Sequence, residues 1–211
     1  MKTSLFSLII LLFIAAGCAS TSLIGSWADP ELKSIEGKSI AIFCLTPRLD
    51  IRDRVETEMS DQLQAKGVNA MRSMDFITPG KMEKEVIEKI LEQNNITGVI
   101  IVSLLDKEKE TQYVPGSGAV YAPGYYGHPY YGYYGLRYAA VYDPGYYQTT
   151  TSYFIECNAY RLSDEKLVYS AQTKAVDPSS LEKFAYDFSR AIVKDLVEKG
   201  IILADAKNLG I

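Results

Sequence analysis

The chain has 211 residues and a formal charge of −4, from 26 acidic and 22 basic side chains with no Lys/Arg cluster. That balance speaks against nucleic acid and against a general attraction to anionic lipid. One histidine and three cysteines supply no metal-ligand spacing, so neither a metal nor a cofactor is expected.

In chain order, Lys2 comes first, then an apolar run from Leu5 to Ala16 broken only by Ser7. About twelve residues suit a signal-peptide core and fall short of the roughly 20 that span a bilayer. The small residues Ala15, Ala16 and Gly17 lead directly into Cys18. This resembles the bacterial lipobox, with Ala15 where leucine is usual and Ile14 one step earlier. The resemblance implies a diacylglycerol on the Cys18 thiol, cleavage after residue 17 and a palmitate-type chain on the new amino group. Two or three such chains hold almost permanently, at about 0.8 kcal/mol per buried CH₂. Ala19 stands where such lipoproteins carry an Asp to stay in the inner membrane, which implies outer membrane, periplasmic face.

Residues 18–36 then read as the lipidated Cys and a tether, with Trp27 as a lid on the domain edge. A single α/β domain is expected over 37–203, and a tail over 204–211. Residues 38–45 (KSIAIFCL) have the continuous apolar character of a strand covered on both faces. Asp50 suits an N-cap for a helix through Ile51, Val55, Met59 and Leu63, with Gly67 as its stop. A short strand near 68–72 precedes a second helix, for which Thr78 and Pro79 suit N-cap and N1 and Asn94 and Asn95 the end. Residues 98–105 (GVIIVSLL) form another buried strand, and the β-α-β-α-β order calls for parallel pairing. Residues 106–113 (DKEKETQY) continue it along a sheet edge, where charge deters pairing. Alternation over 149–162 and 166–176 gives a hairpin. Asp177 and a Ser179/Glu182 capping box then open a last helix along Leu181, Phe184, Phe188, Ile192 and Leu196. The fold class is therefore an α+β sandwich with a mixed sheet.

Residues 114–147 hold eleven of the 16 tyrosines, interleaved with Gly and Pro, and read as a long insertion between two strands. Tyrosine is a rigid amphipathic contact residue. Tyr125, Tyr126, Tyr130, Tyr131, Tyr133 and Tyr134 are therefore candidate contacts for glycan, including peptidoglycan, or for other envelope proteins.

The lipobox, the 26–30 segment (SWADP), the two buried strands and the Val168–Ala171 strand before Pro178 are together similar to bacterial lipoproteins of unknown function. The arrangement also resembles the TolB N-terminal domain and the core of curli-secretion lipoproteins such as CsgG, without their membrane-spanning hairpins. That implies a non-enzymatic envelope-assembly or protein-interaction module, with a glycan-binding lipoprotein as the alternative.

Catalytic signals are weak. His128 lies in the tyrosine segment, far from a rigid triad. The Thr78–Lys81 stretch lacks the first Gly and the final Ser/Thr of a phosphate loop. The Glu/Lys alternation from Lys81 to Glu92 reads as a solvated helix face. Cys44 and Cys157 read as buried thiols, with a bridge between them as the alternative.

Overall fold

The computed structural model describes residues 20–31, 35, 39–77, 84–115 and 145–203. They form strands β1 (Thr21–Ala28) and β2 (Ser39–Leu45), helix α1 (Leu49–Gln64) and strand β3 (Asn69–Arg72). Helix α2 (Lys84–Gln93), strands β4 (Gly98–Val114), β5 (Tyr146–Arg161) and β6 (Lys166–Val176), and helix α3 (Leu181–Glu198) follow. The six strands make one mixed sheet in the order β1-β6-β5-β4-β2-β3. β2 runs parallel to both β3 and β4, as the alternation of strand and helix requires.

The buried strands have two apolar faces. Ile40, Ile42 and Cys44 of β2 join Ile100 and Val102 of β4 in a large core with α1 and α3. Ala41 and Phe43 turn the other way, with Val99 and Ile101, onto Leu91 and Ile87 of α2. α1 and α3 lie side by side, α1 over β2 and β3, α3 over β1 and β6. Gly98 starts β4 hard against Ile35, whose side chain would lie 2.9 Å from any added Cβ.

Two compact units divide the chain, one of residues 1–107 and 153–211, the other 108–152. Within the second, the Thr111 and Thr149 hydroxyls meet at 3.0 Å. The Tyr113 and Tyr147 rings lie 5.2 Å apart, centre to centre.

Four expectations change. The stretch read as a tether is a strand from its fourth residue: β1 pairs antiparallel with β6 from Thr21↔Ala175 to Ala28↔Tyr169. Trp27 sits within β1 opposite Ser170, 48% exposed, so it is an edge-strand residue more than a lid. The charged stretch 106–113 does continue β4, which runs to Val114, beyond its last pairing with β2 at Ser103. The last helix is capped by Ser180, whose Oγ accepts the Lys183 N–H at 3.1 Å, not by Asp177 or Ser179. Asp177 instead has a φ of 39°, in the left-handed region that Asp tolerates at turns. Likewise α1 starts after Arg48, and Asp50 lies in its first turn. Thr78 and Pro79 lie outside the described residues.

The start of β1 is fastened. Ser20 donates its N–H to the buried Asp187 of α3 at 3.3 Å and accepts from the Val176 N–H at 2.9 Å. Asp187 also holds the Lys183 ammonium at 2.7 Å. A register shift between Leu23 and Gly25 puts a bulge in this strand.

Candidate functional site: an apolar cavity at the carboxyl ends of β2 and β4

In sheets with parallel strands, the carboxyl ends of the strands are where loops diverge and ligands bind. Here β2 ends at Leu45, β4 passes it at Ser103, and a cavity of about 490 Å³ opens beside them. Its floor is Cys44, Val55, Val102 and Ile155, and its walls are Ile51, Tyr153, Leu181 and Phe184. Leu45, Thr46, Pro47, Ser103, Leu104, Pro178 and Ser180 complete the rim with two cations, Arg48 and Lys107.

Local chemistry explains the opening. Pro47 breaks β2, so the chain must turn before α1. Arg48 donates its N–H to Thr46 Oγ1 at 3.3 Å and its Nε to Asp50 Oδ1 at 3.1 Å. The guanidinium holds the exposed Asp50 carboxyl below its usual range. Lys107 lies over the Tyr153 ring, 5.2 Å from its centre, a cation–π arrangement. No ion pair joins the Lys107 ammonium to a carboxylate among the described residues.

Behind the cavity floor stands a buried carboxylate that the sequence reading missed. Glu56, fully buried, accepts from the Cys44 N–H at 2.9 Å, Arg52 Nε at 3.0 Å, Ser73 Oγ at 2.6 Å and the Met74 N–H at 3.0 Å. With four donors satisfied it holds the end of β2, α1 and the turn after β3 together. It is not among the residues that line the cavity.

The lining is mostly apolar, with Arg48 and Lys107 as its charged side chains. Among the described residues, no carboxylate or imidazole lines the cavity. Cys44 is the one thiol at the floor, and burial, then the Glu56 charge, pushes it up to about 12. It stays protonated and unreactive.

Of the residues singled out from sequence, Cys18 and the six candidate tyrosines lie outside the described residues, as does His128. Cys44 and Cys157 are both buried and free, so the bridge is not formed. β4 separates β2 from β5 in the sheet. Two strand spacings, about 9.5 Å, exceed the ~7 Å between Cα atoms that a disulfide can close. Burial pushes the Cys157 thiol up as well. Arg48 and Lys107 carried no sequence signal: one follows a strand-breaking proline, the other sits in an alternating charge run. Among the described residues, no helix is long and apolar enough to cross a membrane.

No family model matches the sequence, and no curated protein matches it. Among solved structures, the chain is similar to the PelC dodecamer from Paraburkholderia phytofirmans, at 16% identity and a TM-score of 0.45, over 86% of this chain and 99% of that one. It is also similar to lipoprotein GNA1162 from Neisseria meningitidis, at 10% identity and a TM-score of 0.40, over 76% and 98%. A minor lipoprotein from Acinetobacter baumannii aligns at 10% identity and a TM-score of 0.34, over 80% and 96%.

Proposed function

We propose that this chain is a non-enzymatic, lipid-anchored protein of the bacterial envelope, held in the outer membrane on its periplasmic side and acting by contact with other envelope components. The supporting observation is the run of small residues before Cys18 together with the immediate start of the fold. Ser20, two residues on, is already bonded to α3 and β6. Acyl chains on Cys18 thus hold the domain itself at the bilayer.

Cys18→Ser tests this. The expected result is loss of palmitate labelling, with the protein released from the membrane fraction or left as uncleaved precursor. A variant that is still processed and still sediments with the outer membrane overturns the reading.

A second reading, glycan binding, draws support from the exposed Tyr113–Tyr147 pair at the base of the tyrosine segment. Aromatic faces of this kind stack on sugar rings. Excising residues 115–146 and bridging with a Gly/Ser turn is expected to leave the fold intact, since loop closure changes only by about 0.6 kcal/mol per doubling of length. On this reading the same deletion, made together with Tyr113→Ala and Tyr147→Ala, abolishes co-sedimentation with purified peptidoglycan. Equal sedimentation of both forms removes it.

A further inference from the structure

The start of β1 and the cavity lie at the same end of the sheet. Thr21 pairs with Ala175, and the chain leaving β6 lines the cavity at Pro178, Ser180 and Leu181. Cys18 is separated from the fastened Ser20 by one residue. An extended chain covers at most ~3.5 Å per residue, so about 7 Å is the whole reach of this leash.

The same end carries large apolar side chains exposed to solvent: Leu45 at 49%, Leu49 at 51%, Leu104 at 54%, Leu105 at 49% and Val176 at 38%. Leu45 and Leu104 themselves line the cavity. Scattered apolar residues are ordinary on a surface, but a cluster around a cavity mouth marks a membrane or ligand contact. Among these leucines stand Arg48 and Lys107 at the rim, with no carboxylate lining the cavity. Asp50 shares the Arg48 charge, and Asp106 turns one carboxylate oxygen to the Lys107 backbone N–H at 2.7 Å. The Lys107 ammonium is thus the less compensated of the two cations. The chain's net negative charge gives no general pull toward anionic lipid, so attraction at this end is local to the two cations.

We propose that this end of the domain rests on the bilayer and that the cavity takes one acyl chain of an anionic phospholipid. Lys107, with Arg48, holds the headgroup phosphate at the mouth. The chain enters between Leu45 and Leu104 and lies along Ile155, Leu181 and Phe184. The orientation rests on the anchoring reading; the cavity's preference for acyl chain plus phosphate does not.

The test uses the full lipidated protein in vesicles doped with phosphatidylglycerol bearing a photoactivatable group in its tail. Phosphatidylethanolamine with the same tail is the control, and adducts are mapped by mass spectrometry. Adducts are expected on Leu181, Phe184 or Ile155. Lys107→Gln should lower the phosphatidylglycerol yield about fivefold and the phosphatidylethanolamine yield by clearly less, because the ethanolamine ammonium already offsets that lipid's phosphate. Leu104→Trp, on the same face of β4 as Val102 and at the mouth, should remove cavity adducts from both. If that variant proves unfolded by circular dichroism, Lys107→Gln, at an exposed site, carries the test alone. Adducts confined to residues outside the cavity, or equal yields from the two lipids, overturn the proposal. Cavity adducts that appear only when Cys18 is replaced also overturn it, since the protein's own acyl chain would then be the occupant. The intact mass of the purified protein reports acylation independently. A chain without acyl mass defeats the anchoring reading and leaves the cavity result to stand or fall by itself.

Discussion

Glu56→Ala is expected to destabilise the domain by about 3–5 kcal/mol, the range for removing one partner of a buried, hydrogen-bonded ion pair. The loss has two parts. The Cys44 and Met74 N–H groups, bonded to the Glu56 carboxylate, lose their acceptor inside the protein. The Arg52 guanidinium, only 11% exposed, loses its countercharge, and unpaired buried groups are costly. Glu56→Gln keeps the shape and an acceptor oxygen, and should fall between alanine and the parent. Replacing Arg52 and Glu56 together with methionine should recover much of the loss, because an apolar pair leaves no orphaned charge. Chemical denaturation read by far-UV circular dichroism measures all three. A Glu56→Ala change below about 1 kcal/mol would place Glu56 with ordinary surface positions and refute the keystone role.

Phe188→Ala should lose a comparable amount, about 3–5 kcal/mol, for a different reason. Phe188 is fully buried on α3, among Ile192, Leu196 and the sheet, and its removal leaves a void the backbone cannot close. Its neighbour Phe184 stacks on it with ring centres 5.8 Å apart but borders the existing cavity. Phe184→Ala should therefore cost clearly less stability than Phe188→Ala, since one side of that ring already lacks packed neighbours. The comparison separates packing from site: equal denaturation midpoints for the two variants would mean that the cavity wall is as tightly packed as the core.

The elements that showed in the sequence were those with a strong period. β2 and β4 are apolar on both faces because helices cover both, and β6 over Lys166–Val176 stood out between a turn and Asp177-Pro178. α1 could be read from Ile51, Val55, Met59 and Leu63 alone. β1 was hidden because five of its eight positions are exposed and its composition (TSLIGSWA) is that of a linker. Its bulge also breaks the two-residue alternation that would have announced it. The cap of α3 was read as Asp177 or Ser179, while Ser180, one residue after Ser179 and of the same chemistry, is the one in place. Glu56 sits beside Val55 on a helix face, and only the spacing from Arg52 hinted at a partner. The cavity draws on residues from 44 to 184, which only the folded topology brings together.

Protection of open strand edges differs from one place to the next in this sheet, and it limits how the protein can assemble. At one margin β3 is four residues long and runs straight into a 3-10 turn at Ser73–Asp75. At the other, the bulge between Leu23 and Gly25 bends β1. Where β4 runs on beyond Ser103, its last pairing with β2, it carries the alternating charges of Asp106 and Lys107. Short length, a bend and charge are among the devices by which natural sheets refuse an incoming strand. Growth by β-augmentation, whether by a second copy or by an extended peptide, is therefore disfavoured at each of these edges. Association by this domain must use helix or sheet faces and side chains, which makes its contacts sensitive to point substitution and tolerant of backbone-only mimics.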